Sequence, residues 1–319
     1  AGDVPLGTQG NLFGITGGEG TGKSNYVAAI VAGCICPAGA EVDTLGIQIT
    51  ANGRHKAVLL YDTEQSEVQL FKNVSNLLAR AKQPDKPDEL KAFCLTGMSR
   101  KERLNAIVQS MDKFYYQYGG IQLVVIDGIA DLVKSANDEA ESVAVIDELY
   151  RLAGIYNTCI LCVLHFVPNG LKLRGHLGSE LQRKAATILS IEKDDEPAQS
   201  VVKALKVRDG SPLDVPLMLF AWDKEAGMHV YKGEKPREEK EKRKERELVN
   251  VAHDIFGRQT RITYIDLCEQ LQQVLDIKER TAKSYIRFMR ERDIITKDTA
   301  NQSCFVIGSY HLQRNASCP

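Results

Sequence analysis

The sequence predicts an α/β protein: a mainly parallel sheet with an antiparallel extension, followed by a small carboxy-terminal unit. Three observations carry this expectation. Over residues 10–231, short and nearly continuous apolar runs alternate with amphipathic stretches, the pattern of parallel strands covered on both faces by helices. After His165 the apolar runs crowd together with short turns between them, as antiparallel strands do. Between residues 232 and 247 the chain becomes a dense mixed-charge run, and the pattern that resumes is helical. The expected divisions are residues 1–231, a charged linker or solvated helix at 232–247, and a second domain at 248–319.

In chain order, residues 12–16 read as a buried strand and residues 25–32 as an apolar helix, with Gly33 as its C-cap. Further strands are expected at 57–61, 92–96, 122–127 and 159–165, separated by helices at 66–81, 100–118 and 139–156. The antiparallel extension takes 186–192, 201–208, 217–222 and 228–231, with Arg208-Asp209-Gly210-Ser211 as one turn. Beyond the charged run, helices are expected at 246–256, 264–275 and 279–292. The last carries Ala282, Tyr285, Ile286 and Met289 on one stripe. Residues 294–297 and 304–307 pair as a hairpin around 298–303. Three helices followed by a β-hairpin predict a winged helix-turn-helix.

Composition sets bounds. The chain has 319 residues, 43% hydrophobic and 26% charged, with a net charge of −1. That is enough for one large domain and a small one. The near-neutral balance does not announce a nucleic-acid binder, so charge must be judged region by region. No apolar run reaches the length of a membrane span, and the start shows no signal peptide. The chain begins without Met, which predicts processing or a piece cut from a longer protein. Its eight cysteines are scattered. Cys159-x-x-Cys162 lies in an apolar strand-like run with no second pair at metal-site spacing, so buried reduced thiols and a reducing cytoplasm are expected.

The chemistry begins after the first strand. Gly17-Gly18-Glu19-Gly20-Thr21-Gly22-Lys23-Ser24 has the form G-x-x-x-x-G-K-S, with a strand before it and a helix after it. The glycines let the backbone fold around phosphates with its N–H groups inward, and the helix N-terminus favours an anion. Lys23 is expected to reach the β- and γ-phosphates of a nucleoside triphosphate, and Ser24 to ligate Mg²⁺. Leu123-Val124-Val125-Ile126-Asp127 is an apolar strand ending in a carboxylate, so Asp127 is the second candidate for holding Mg²⁺. The strand at 57–61 ends in Asp62-Thr63-Glu64-Gln65. Glu64 is placed there either to position an attacking water or to cap the following helix. His165 ends the strand after Asp127, where it either contacts the γ-phosphate or is structural.

These residues, in the order Gly17–Ser24, Asp62-Thr63-Glu64, Ile126-Asp127, His165 and Lys206-Val207-Arg208-Asp209-Gly210, resemble the RecA-like superfamily. Within it the chain is most similar to the hexameric-helicase branch, especially plasmid RepA-type helicases and related ATPases on bacterial mobile elements. The resemblance spans roughly residues 10–231. It implies an ATP- and Mg²⁺-dependent homo-oligomer, a hexamer in that branch, that acts on DNA during replication or mobilisation. It implies that Glu64 activates water, that Asp127 serves Mg²⁺ and that His165 senses the γ-phosphate. Lys206 and Arg208 would reach the neighbouring subunit's nucleotide as a finger in trans. The glycine-rich basic stretch at 168–180 corresponds to a channel loop, making Lys172, Arg174 and His176 candidate DNA contacts. The segment 131–141 departs from the pattern. It carries Asp131, Asp138, Glu139 and Glu141 against a single Lys134, and an acidic loop repels a DNA backbone.

The last predicted helix is basic opposite its apolar stripe, with Arg280, Lys283 and Arg287 as candidate DNA contacts. A protein-docking helix has the same composition. Two functions therefore stand: a helicase-like ATPase on DNA, or an ATP-switched DNA-binding protein that does not unwind.

Overall fold

The computed structural model describes residues 1–165, 175–194, 196, 198–236, 240–257, 259–299 and 301–309, with the backbone alone at 240–244. The chain divides into two compact units, Ala1–Lys235 and Pro236–Pro319.

The first unit is a nine-stranded sheet covered on both faces. Its strands are β1 (Leu12–Gly17), β2 (Ala57–Asp62), β3 (Leu90–Cys94), β4 (Ile121–Asp127), β5 (Cys159–His165), β6 (Thr187–Lys193), β7 (Gln199–Val207), β8 (Leu217–Asp223) and β9 (Met228–Lys235). Their order is β3-β2-β4-β5-β1-β6-β7-β8-β9. The six strands from β3 to β6 run parallel, and β7, β8 and β9 follow as antiparallel neighbours. This is a mixed α/β architecture that fits a RecA-like core.

Because side chains alternate along a strand, each strand feeds both cores. One core packs Ile15, Val58, Val125 and Leu161 against Tyr26, Ile30 and Val31 of helix α1 (Lys23–Ile35) and Leu70 and Leu77 of α2 (Glu67–Arg80). The other packs Leu12, Leu59, Ile126 and Ile160 against α3 (Arg100–Tyr118), α4 (Glu139–Ile155) and α5 (Gly175–Lys184). The same alternation separates the two cysteines of Cys159-x-x-Cys162. Cys159 belongs to the first core and Cys162 to the second, so the sheet lies between their thiols. Burial pushes the Cys159 thiol up to about 12 and Cys162 higher still.

Three local expectations are corrected. Gly33 does not cap α1, which continues to Ile35; a Cβ at Gly33 would come within 2.7 Å of Ile49, so this glycine serves close packing. His176 lies on helix α5 rather than in a loop, because Leu177 and Leu181, one turn apart, are buried and fasten the segment to the sheet. The stretch 232–247 is not a separate linker. Lys232–Lys235 complete β9, and helix α6 (Lys240–Phe256) begins well before residue 246.

The second unit contains α6, β10 (Ile262–Thr263), α7 (Tyr264–Leu275), α8 (Glu279–Glu291), β11 (Ile295–Lys297) and β12 (Cys304–Ile307). Its three strands form an antiparallel sheet in the order β10-β12-β11. Leu248, Ala252, Leu267, Leu271, Ile286, Met289 and Phe305 make its core. The two-residue strand β10 is too short to carry a periodic signal and was not expected.

Candidate nucleotide site

Strand register assembles the site. Gly17 ends β1 in register with His165 at the end of β5. Asp62 ends β2 in register with Asp127 at the end of β4. Neighbouring strands lie about 4.8 Å apart, so four functional positions meet at one end of the sheet, where the loop after β1 turns into α1.

The loop is shaped by glycine. Gly22 caps α1 with φ +94°, a left-handed conformation that favours glycine, and a Cβ there would come within 2.8 Å of the Phe220 ring. Thr21 Oγ1 donates to the Gly18 carbonyl at 3.0 Å and closes the turn. Glu19 and Gly20 are exposed at the tip, and Ser24 is exposed on the first turn of α1.

Lys23 is buried, 7% exposed, and donates to the Gly17 carbonyl at 2.9 Å and the Gly18 carbonyl at 2.7 Å. Its third neighbour is His165 Nδ1 at 3.2 Å. An ammonium only donates, so Nδ1 is the accepting nitrogen and the proton resides on Nε2. Nε2 then faces Glu64 Oε2 at 3.4 Å. Lys23, His165 and Glu64 thus form a chain across the mouth of the site. Burial pulls the Lys23 pKa down, opposed by the charges of Asp127, Glu64 and Glu19. A buried ammonium held by carbonyls and an imidazole fits a site made for an incoming phosphate.

The carboxylates are fixed from below. Asp62 is 2% exposed, and its Oδ1 accepts from the Glu64 N–H at 3.0 Å and the Gln65 N–H at 2.8 Å. The turn after β2 is therefore tied to Asp62, leaving the Glu64 side chain partly exposed over the site. Thr63 Oγ1 bonds the carbonyls of Asp127 at 3.0 Å and Gly128 at 2.8 Å, locking the ends of β2 and β4 together. Gly128 has φ +102°, and a side chain there would strike Thr63 Oγ1. The Asp127 carboxyl is pushed up to about 7, first by burial and then by the charges of Asp62 and Glu64. Burial also raises Asp62. Among the described residues no group of three acidic, histidine or cysteine side chains is placed to hold a metal ion by itself. The Asp127 carboxyl and the Ser24 hydroxyl are hard oxygen donors of the kind Mg²⁺ takes alongside phosphate oxygens and water. Asp62 and Thr63 were not singled out by sequence reasoning; their signal was the polar run Asp62-Thr63-Glu64-Gln65 directly after an apolar strand.

Lys206 and Arg208 are not part of this cluster. Lys206 donates to the carbonyls of Gln182 at 2.7 Å and Arg183 at 3.1 Å. Arg208 donates to Asn11 Oδ1 at 3.0 Å and the Lys184 carbonyl at 3.0 Å. Asn11 precedes β1, so both cations lie at the opposite end of the sheet. Val207 is in register with Thr187, and Thr187 with Phe13. Gly17 lies four residue steps beyond Phe13, about 13 Å of strand. Neither cation reaches its own phosphate loop.

His176 is exposed on the first turn of α5, whereas Lys172 and Arg174 lie outside the described residues. In the second unit Arg280, Lys283 and Arg287 are exposed on α8. Lys283 pairs with Glu279 at 2.7 Å and Arg287 with Glu291 at 2.8 Å. Much of the acidic 131–141 segment serves local structure. Asp138 caps α4, Glu141 accepts from the Lys134 N–H, and Asp131 lies 3.8 Å from Arg103.

The parallel sheet, the glycine-shaped loop, the buried lysine and the carboxylate at the end of β4 define a P-loop ATPase. The family model for the AAA domain matches residues 4–169, just over half of the chain, and the chain belongs to that family. The match spans Lys23, Glu64, Asp127 and His165 and ends before Lys206. No curated protein matches the chain. No described helix is long and apolar enough to cross a membrane.

Proposed function

We propose that the chain is an oligomeric, helicase-like ATPase that acts on DNA, of the RepA-type branch of RecA-like proteins. The observation that carries this reading is the split of the catalytic set between the two ends of the sheet. Lys23, Glu64, Asp127 and His165 make one half, and Lys206 with Arg208 make a cationic half that can serve only a nucleotide held by another copy. A head-to-tail ring, in which each copy presents the two halves to different neighbours, uses both.

In the reaction, the loop N–H groups and Lys23 bind the β- and γ-phosphates of ATP, so Lys23 exchanges the Gly17 and Gly18 carbonyls for phosphate oxygens. Ser24 and Asp127 would hold Mg²⁺, which neutralises charge developing on the phosphates. Glu64 orients the attacking water and accepts its proton. His165 loses its lysine partner when Lys23 turns to phosphate, and so couples the γ-phosphate to the segment after β5. The finger cations of the next copy stabilise the transferring phosphoryl group.

The second unit is read as a winged helix-turn-helix with α8 as its DNA-facing helix. The ion pairs of Lys283 and Arg287 are exposed, weakly held and screened by salt, and yield readily to DNA phosphates. A second reading, an ATP-switched DNA-binding protein without unwinding, is favoured by the acidic 131–141 segment.

The test is steady-state ATP hydrolysis without DNA, with single strands and with duplex, alongside solution mass with and without nucleotide. Single-strand stimulation of a ring-sized assembly is the expected result. Slow hydrolysis indifferent to single strands, with duplex bound in a salt-sensitive way, would replace the helicase reading by the switch.

A further inference from the structure

The catalytic side chains fix the direction in which a bound nucleotide lies. Glu64, Asp127 and His165 belong to β2, β4 and β5, all on one side of β1. The γ-phosphate must point to that side. The nucleoside must then extend to the other side of β1, over β6, β7, β8 and β9.

An aromatic group waits there. Strand β8 is antiparallel to β7 and β7 to β6, so β8 runs in the direction of β1 and its last residues lie at the phosphate-loop end of the sheet. Phe220 packs on Tyr26 of α1, ring centroids 5.7 Å apart, and closes against Gly22 of the loop. Trp222 follows two residues later on the same face of the strand, one step nearer the open end. Its indole is 53% exposed. His229, its partner across the ladder to β9, stands edge-on to both rings, 5.5 Å from Trp222 and 5.7 Å from Phe220. The His229 backbone carbonyl is held by Arg80 Nη2. Burial, with the charges of Arg80 and Lys193, holds the His229 imidazole below its usual pKa, so its edge supports the indole as a neutral ring.

Tyr26, Phe220, His229 and Trp222 thus form a continuous aromatic ridge from beneath the phosphate loop to the surface. Tyr26 and Phe220 are buried, His229 is half-buried, and the outer member, Trp222, is the most exposed. An exposed indole braced by a ring at its side presents a fixed π-face, which suits stacking on a planar heterocycle.

We propose that Trp222 is the platform on which the purine base of the bound nucleotide stacks. The assignment rests on the ATPase reading of the phosphate loop and adds the recognition of the base. It predicts a preference for purines, because a two-ring base covers more of an indole than a pyrimidine does.

Trp222 is the single tryptophan of the chain, so its emission reports on this position alone. The experiment titrates the 319-residue chain with Mg²⁺-ATP, Mg²⁺-CTP and Mg²⁺-tripolyphosphate, following tryptophan emission and, by calorimetry, affinity. ATP is expected to change the emission strongly, CTP less, and tripolyphosphate, which has no base, hardly at all. Trp222→Ala is expected to weaken ATP binding about tenfold, or ~1.4 kcal/mol. Its tripolyphosphate affinity should stay at the wild-type value, which shows that the loop and fold are intact. Trp222→Phe should retain most of the ATP affinity. If ATP binds with unchanged emission, and Trp222→Ala binds it as tightly as the wild type, the platform is overturned while the ATPase reading stands. If the wild type binds neither ATP nor tripolyphosphate, the ATPase reading fails and the platform with it.

Discussion

The two ends of the nine-stranded sheet carry opposite kinds of polar group. At the phosphate-loop end, Lys23, His165 and Glu64 hold one another, and the charges of Asp62 and Glu64 add to burial in raising the Asp127 pKa. At the other end, Lys206 and Arg208 donate, among the described residues, to carbonyls at the end of α5 and to the Asn11 amide. The first end is strained by buried charge and gains by admitting a polyanion and a cation. The second is a pair of cations on loosely competing neutral acceptors, ready to be offered outward. One end grips a nucleotide and the other has no nucleotide of its own. The lesson is that the reacting set, on the proposed reading, is complete only between two copies.

The largest expected effect breaks the outward-facing end. Arg208→Ala should lower kcat about 10³- to 10⁵-fold while leaving ATP affinity and assembly intact, as measured by turnover, calorimetry and solution mass. Next comes the gripping end: Glu64→Gln should bind ATP normally and hydrolyse it about 10²- to 10⁴-fold more slowly. Near-normal turnover would return Glu64 to a capping role. Lys23→Ala removes a charged donor to the phosphates and should weaken ATP about 10- to 150-fold in a binding titration.

The smallest effect sharpens the electrostatic contrast. With Asp127 pushed up to about 7 in the folded chain and near 3.8 when unfolded, the native state binds more protons across that window. Stability of the metal-free, nucleotide-free protein therefore falls as pH rises from about 4 to 7. Asp127→Asn removes the buried charge and should raise Tm at pH 8 by a few degrees, with little change at pH 5. Equal shifts at both pH values would contradict the burial of this carboxyl.

Much of the gripping end was legible in the sequence. A phosphate loop is a local motif, and β2, β4 and β5 announce themselves as apolar runs ending in Asp62, Asp127 and His165. Their convergence follows from parallel strands sharing one C-terminal edge. What was not legible depends on contacts distant in sequence. Gly33 looks like a helix stop until Ile49 is seen packed over it. Helix α5 hides behind two glycines and a charged surface, its only signal the spacing of Leu177 and Leu181. The aromatic ridge joins Tyr26 to Phe220 and His229 across some two hundred residues of chain, and no local window contains it.

The most direct test of the split is a mixing assay. Lys23→Ala keeps its finger and loses its grip, and Arg208→Ala keeps its grip and loses its finger. Each alone should be nearly inactive. An equal mixture allowed to exchange subunits should recover about a quarter of wild-type turnover, the fraction of head-to-tail interfaces that pair an intact Lys23 with a neighbour's intact Arg208. A mixture no more active than its components would contradict catalysis between copies and leave Lys206 and Arg208 as structural cations.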